Sequence, residues 1–140
     1  MGPTTMTKPF PYWLIAALVM AIAIVQVTAD HWHLYFYIWW LDIPVHMTGG
    51  FWIGITSLVL YFHTRHAQRK DRTAKFSFIV ALTAAFAIGA SWEVFEYVVD
   101  RSLADGGIDL VDSLSDIVND GIGASLATAF FLRRGYNKAI

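Results

Sequence analysis

The sequence predicts an all-α membrane protein, a four-helix transmembrane bundle with a short interfacial segment between spans one and two. Of its 140 residues, 56% are hydrophobic, and the mean hydropathy is +0.49. A soluble domain contains about 45 to 50% apolar residues, so the excess indicates helices that face lipid. Four apolar runs account for it, each close to the length of about 20 residues that a bilayer-crossing helix needs.

The four expected spans fill most of the chain, so we predict a single transmembrane domain over residues 1–140. Residues 30–40 are rich in Trp, Tyr, Phe and His, a composition typical of a segment at the level of the lipid headgroups. Residues 100–107, with two adjacent glycines, are expected to form the turn before the last span. The expected spans cover residues 10–29, 41–62, 74–99 and 108–132.

The Lys and Arg residues indicate an orientation. Nine of the ten lie on the side that holds both termini, and Arg101 is the exception. By the positive-inside rule this side is cytoplasmic, so we expect both termini and the loop between spans two and three in the cytoplasm. The nine residues are Lys8, Arg65, Arg69, Lys70, Arg72, Lys75, Arg133, Arg134 and Lys138.

The acidic residues have the opposite distribution, since ten of the eleven lie toward the outer half and only Asp71 joins the basic side. They form three clusters at helical spacing. Asp42 and His46 begin span two and are four residues apart, which places them on one helix face. The other two clusters are Glu93 and Glu96 on span three, and Asp112, Asp116 and Asp120 on span four.

These clusters predict a cation site inside the bundle. A charged side chain at a helix centre costs on the order of 2.5 to 3.5 kcal/mol on insertion scales, so the acids are expected to point inward. No buried basic partner is available, and crowded carboxylates either stay protonated or bind a cation. We predict a divalent metal (Zn, Mn, Fe or Mg) with ligands from the set Asp42, His46, Glu93, Glu96, Asp112, Asp116 and Asp120.

Simpler interpretations remain open for several of these residues. His46 could be a hydrogen-bonded histidine of the bundle core. Glu93 and Glu96 could reach water from the outer end of their helix. Asp100 and Asp109 are more typical of solvated or capping residues, because an acid favours a helix N-terminus. The chain has no cysteine, which excludes disulfides and thiolate ligands.

The order of these motifs resembles that of the VanZ-like proteins and the related YjdF-type group, over about residues 42–124. The pattern is an acid and a histidine opening one helix, acids ending the next, and an Asp-rich run with a glycine opening the last. Here those places are filled by Asp42 and His46, by Glu93 and Glu96, and by Asp116, Asp120 and Gly123.

Two runs look more like the YjdF-type group, Trp92-Glu93-x-x-Glu96 and Asp112-Ser113-x-x-Asp116. The chain departs from the VanZ-like pattern at Ile43, where Lys is usual, and at Asp120, where Asn is usual, and both changes favour cation binding. The resemblance implies a small multi-span protein of the bacterial inner membrane with a role at the cell envelope.

The leading hypothesis is a metal-dependent membrane hydrolase that acts on a lipid or lipid-linked envelope substrate, with Glu96 as the base. One alternative is an ion- or proton-coupled transporter, since acids within a membrane also line ion pathways, and four short spans would then need a homo-oligomer. Another is an accessory bundle in which a cation only holds the helices together. Membrane lipid is the expected partner, and the basic loop is attributed to lipid headgroups rather than to nucleic acid.

Overall fold

The computed structural model describes residues 9–63, 73–103 and 110–138, with the side chains of the second range described up to Val99. All regular secondary structure in these ranges is helical, so the all-α prediction is confirmed for this part of the chain. The helices are α1 (Trp13–His31), α2 (Leu34–Tyr37), α3 (Asp42–His63), α4 (Ala74–Leu103) and α5 (Leu110–Arg133).

Three of the described helices have the length and composition of membrane spans, namely α1, α3 and the Ala74–Val99 part of α4. Helix α5 has 24 residues, which at 1.5 Å per residue is about 36 Å and long enough to cross a bilayer core. It carries Asp112, Asp116 and Asp120, however, and its composition does not mark it as a span. The described residues therefore contain three candidate spans where the sequence predicted four.

Helix α4 continues beyond its expected end. We expected a turn from Asp100, but the helix extends to Leu103. No glycine or proline stands between Ala90 and Asp105, so no helix breaker precedes Gly106. With 30 residues, α4 is about 45 Å long and exceeds a hydrocarbon core of about 30 Å. The remainder of the expected turn, including Asp109, lies outside the described residues.

The segment between α1 and α3 contains a short helix, α2. His33 precedes it in the left-handed conformation, with φ of 52°, and this reverses the chain after α1. Tyr35 is partly buried, whereas most of its aromatic neighbours are exposed, as expected for a belt at the membrane interface. The exposed aromatic residues are Trp32, Phe36, Tyr37, Trp39 and Trp40.

Helices α3 and α5 pack against each other most closely. A methyl group added at Gly50 would meet the backbone of Asp120, and one added at Gly54 would lie 2.9 Å from the Cα atom of Ala124. Because these contacts follow the same order along both helices, α3 and α5 run parallel. Small residues allow this approach, as in other membrane helix pairs. Toward the other end the pair is filled by the buried side chains of Ile55, Leu58, Phe62 and Phe131.

Helix α1 lies at the periphery, and Ala29 is its only buried residue. It is attached to α3 by the Trp52 indole, whose Nε1 donates to the carbonyl of Ile15 at 3.1 Å. The Tyr12 hydroxyl and His63 Nδ1 are hydrogen-bonded at 3.0 Å. Among the described residues, α1 packs on α2 and α3 and not closely on α4. A space therefore remains between α1 and the rest of the bundle.

Candidate functional site

A cavity of about 590 Å³ occupies this space, at the end of the bundle where α1 ends and α3 begins. All five helices contribute to its walls. Its volume falls in the range of about 300 to 1,000 Å³ typical of small-molecule sites. The titratable side chains in the walls are Asp30, Tyr35, Asp42, His46, Glu96, Asp112, Asp116 and Asp120.

His46 lies at the centre of the acidic part of this cavity, between α3 and α5. Its Nε2 atom is 3.6 Å from Asp42 Oδ1 and 3.9 Å from Asp116 Oδ2. Its Nδ1 atom is 3.5 Å from Asp120 Oδ1. His46 is 9% exposed, and Asp116 and Asp120 are each 4% exposed. The imidazole therefore has a carboxylate near each of its two ring nitrogens, within a largely buried site.

Asp42, His46 and Asp116 are arranged so that they could hold a metal ion. Each offers one ligand atom, and the three atoms lie within 4.8 Å of one another. Two ligand atoms bound at about 2.1 Å to one ion lie about 3.0 to 3.4 Å apart at octahedral or tetrahedral angles. His46 Nε2 lies 3.6 and 3.9 Å from the two carboxylate oxygens, and no two ligand atoms of the group are more than 4.8 Å apart, so the group must contract to bind an ion. Two carboxylates and an imidazole suit Zn, Mn or Fe, and less often Mg.

Asp120 lies on the opposite side of His46, near Nδ1, and is not a member of this ligand group. A histidine that binds a metal commonly donates its second ring N–H to a carboxylate, which fixes the tautomer and the orientation of the ring. Asp120 has the position of that carboxylate. The sequence analysis placed it among the ligands, and the geometry favours the orienting role.

Glycines on two helices make room for Asp120. A methyl group added at Gly89 of α4 would overlap the Asp120 carboxylate, and one at Gly50 would overlap its backbone. Gly123 approaches the backbone of Met47 in the same way. These close approaches bring α5 near enough to α3 for its carboxylates to reach His46.

The remaining predicted ligands lie farther from His46 or outside the cavity. Asp112 is exposed and lines the mouth, one helical turn or about 6 Å above Asp116. Glu96 is partly buried and lines the cavity from α4. Glu93 does not line it, because a step of about 100° from Trp92 carries it off the stripe that faces the cavity. The structure thus brings Asp42, His46, Asp116 and Asp120 together, with Glu96 and Asp112 nearer the mouth.

The sequence analysis did not assign three polar residues that also line the cavity. The Tyr35 hydroxyl donates to Gln26 Oε1 at 2.7 Å, and Gln26 Nε2 donates to Asp30 at 3.3 Å. Burial, together with the nearby charges of Asp42 and Asp30, raises the pKa of Tyr35 to about 12. The phenol therefore stays protonated as a donor. Gln26 was the available signal, since an amide within an apolar span needs a partner.

The described fold and site define a helical membrane protein with an acidic cavity built around one buried histidine. Comparison with protein families agrees with the first part of that description. The family model "Predicted membrane protein (DUF2238)" matches residues 3–137, and the chain belongs to that family. The match supports a membrane location. It does not address the resemblance to the VanZ-like and YjdF-type groups, which stays a prediction. No curated protein and no solved structure matches the chain.

Proposed function

We propose that the chain is a metal-dependent membrane hydrolase that acts on a lipid or lipid-linked envelope substrate. In this proposal one divalent cation is held by Asp42, His46 and Asp116. The observation that carries it is the group of three ligand atoms within 4.8 Å, drawn from two helices, in the wall of a cavity. Asp42, Asp116 and Asp120 share one imidazole as their basic partner. Carboxylates outnumbering their partners are costly in a membrane, and a bound cation offsets that cost.

A bound divalent cation supplies Lewis-acid activation of water and of a phosphoryl or acyl oxygen. The residues of the chain have separate tasks. Asp120, 3.5 Å from His46 Nδ1, would accept a hydrogen bond from the Nδ1–H group and keep Nε2 directed toward Asp42 and Asp116. Glu96 lines the same cavity from another helix, and we assign it the role of general base. The apolar walls limit the water that reaches the site.

In this proposal α5 is the fourth membrane span. Its close parallel packing on α3, a candidate span, supports this, because a helix that follows α3 over its length must enter the same layer. Its acids exclude it on composition, yet Asp116 and Asp120 are buried and face the bundle. Lys75, Arg133 and Arg134 lie at the opposite end from the cavity, so both termini are proposed to be cytoplasmic, in a bacterial inner membrane.

The far half of the bundle disfavours the transporter alternative. Among the described residues there, the buried polar side chains are Ser77 and Thr128. Each donates to the backbone carbonyl four residues earlier, Ser77 Oγ to Thr73 at 3.0 Å and Thr128 Oγ1 to Ala124 at 2.9 Å. An ion pathway would need polar groups across the whole membrane. Thr56 Oγ1 is also buried toward that half and has no hydrogen-bond partner. The buried charged groups of the described residues lie on the cavity side only, which supports a one-sided pocket.

The test combines metal content with hydrolysis. Purified protein loaded with Mn²⁺ is incubated with phospholipid in mixed micelles, and the products are followed by mass spectrometry. We expect His46→Ala and Asp116→Ala to lose the bound metal. We expect Glu96→Gln to keep the metal and to lose about 10² to 10⁴ in rate, as removal of a general base does.

Glu93→Gln is the matched control for this test, because it removes a carboxylate from the same helix outside the cavity. It should retain the metal, and its rate should fall far less than that of Glu96→Gln, because Glu93 acts on the Glu96 carboxyl only through its charge. A wild-type protein that binds metal and depends on it for thermal stability, but hydrolyses no lipid, would refute the enzyme proposal in favour of the accessory bundle. Wild-type protein that binds no metal would refute the metal centre itself.

A further inference from the structure

The cavity extends well below the metal group, and its character changes with depth. From Asp42, α3 descends about 6 Å to His46 and about 16 Å to Ile53, at 1.5 Å per residue. At the lower level the walls are Val19 and Ile22 of α1, Ile53 of α3 and Ile88 of α4. The cavity is thus polar at its outer end and apolar toward the middle of the bundle. One leaflet of a bilayer has the same gradient over a comparable depth.

The apolar part lies where hydrocarbon can reach it. Helices α1 and α4 both line the cavity, but among the described residues they do not pack closely on each other. Both are candidate spans with largely exposed surfaces. In the 18-residue apolar stretch that identifies each span, 6% of the stretch in α1 and 17% of the stretch in α4 is buried. Their outer surfaces therefore face lipid. The gap between them offers an acyl chain a lateral path from the bilayer.

The mouth carries negative charge beyond what the metal group needs. Asp30 and Glu96 line it from two different helices, and among the residues whose side chains the structure describes no Lys or Arg lines the cavity. Even with a divalent ion bound, the acidic side chains that line the cavity would outnumber the two positive charges of the ion. Tyr35, Trp39 and Trp92 stand beside them, and aromatic faces attract ammonium groups. An anionic headgroup would meet repulsion there, and a positively charged group would meet attraction.

We propose that the cavity binds an amphiphile whose headgroup carries an ammonium group and whose hydrocarbon chain occupies the apolar part. A zwitterionic aminophospholipid has this chemistry. Its phosphate would lie toward the metal ion proposed between Asp42, His46 and Asp116. Its ammonium group would lie toward Asp30 and Glu96, and one acyl chain would lie between α1 and α4. This assignment of substrate class rests on the proposed function.

The test is lipid titration followed by native mass spectrometry, with protein loaded with Mn²⁺ in a neutral detergent. The probes are phosphatidylethanolamine and phosphatidylglycerol with identical acyl chains. We expect about tenfold tighter binding of phosphatidylethanolamine, the sum of one exposed ion pair and one cation–π contact. Asp30→Asn should reduce this preference to about threefold, and Glu93→Gln, which removes a charge outside the cavity, should change it much less.

Metal content is measured on the same samples, which separates this inference from the proposed function. Bound metal with equal or tighter binding of phosphatidylglycerol would overturn the lipid assignment alone. Equal effects of Asp30→Asn and Glu93→Gln would also overturn it, because the preference would then reflect overall charge. A phosphatidylethanolamine preference that is lost only in Asp30→Asn, in protein without metal, would support the lipid assignment and refute the metal centre.

Discussion

Substituting Gly50 with alanine tests whether the contact between α3 and α5 builds the site. The added methyl group would lie 2.5 Å from Asp120 Cα and 2.6 Å from its carbonyl carbon. Carbon atoms in contact are about 3.5 to 4.0 Å apart, so the helices must separate by about 1 Å. Overpacking of this kind costs about 1 to 3 kcal/mol, against a gain of about 1 kcal/mol in helix propensity over glycine.

The same displacement should damage the metal group, because His46 is on α3 and Asp116 is on α5. Metal sites tolerate deviations of about 0.2 Å in ligand distance, so a separation of about 1 Å is expected to weaken metal binding strongly. Isothermal titration with Mn²⁺ measures the affinity, and thermal unfolding in detergent measures the stability. We expect both to fall in Gly50→Ala.

Gly49→Ala is the matched control, since it makes the same change one residue away. Its methyl group would lie 3.8 Å from Asp120 Oδ1, an ordinary van der Waals distance. This variant should be as stable as the wild type or more stable, through helix propensity alone. Equal stability and metal affinity in the two variants would refute the inference that the approach at Gly50 positions the ligands.

Three further predictions concern the site. Asp120→Ala should weaken Mn²⁺ binding about 10- to 100-fold, because it removes the group that orients His46. Asp112→Asn, at the mouth, should change the affinity less than about twofold. Equal losses of affinity in a titration of both variants would contradict the orienting role of Asp120. Removing the metal with a chelator should lower the unfolding temperature, because a ligand at 100 times its Kd stabilises the folded protein by about 2.7 kcal/mol. An unchanged unfolding temperature would argue against metal binding at the contact between α3 and α5. The raised pKa of Tyr35, about 12 against 10.0, means that the stability this phenol contributes is complete below pH 10 and is lost as the pH rises through about 12. Absorbance of tyrosinate at 295 nm should show a step near pH 12 that is missing in Tyr35→Phe. Persistence of that step in the variant would contradict the assignment.

The helical character could be predicted from the sequence because apolar runs of span length are a strong signal. The expected turn was wrong over residues 100–103, where α4 continues because no helix breaker precedes Gly106. The expected span 74–99 coincides with the part of α4 that has the composition of a membrane span. Helix α5 shows the limit of composition. Its acids Asp116 and Asp120 are buried in the bundle, and a hydropathy average does not record which face a residue occupies.

The spacing of the acids predicted shared faces but not partners. Asp112, Asp116 and Asp120 recur every four residues, which places them on one side of α5. Their depths differ by about 6 Å per step, so one lies at the mouth and two lie on opposite sides of His46. Those roles depend on how deeply α5 sits against α3, which the close contact at Gly50 determines. The sequence pattern alone does not contain that register.

Anomalous diffraction from crystals grown with Mn²⁺ or Zn²⁺ measures the proposed metal centre most directly. We predict one peak about 2.0 to 2.2 Å from His46 Nε2 and from a carboxylate oxygen of both Asp42 and Asp116, with Asp120 on the far side of the ring. The peak should disappear in crystals of Asp116→Ala. A peak at the mouth between Glu96 and Asp112, or none in the wild-type protein at saturating metal, would contradict a metal centre between α3 and α5.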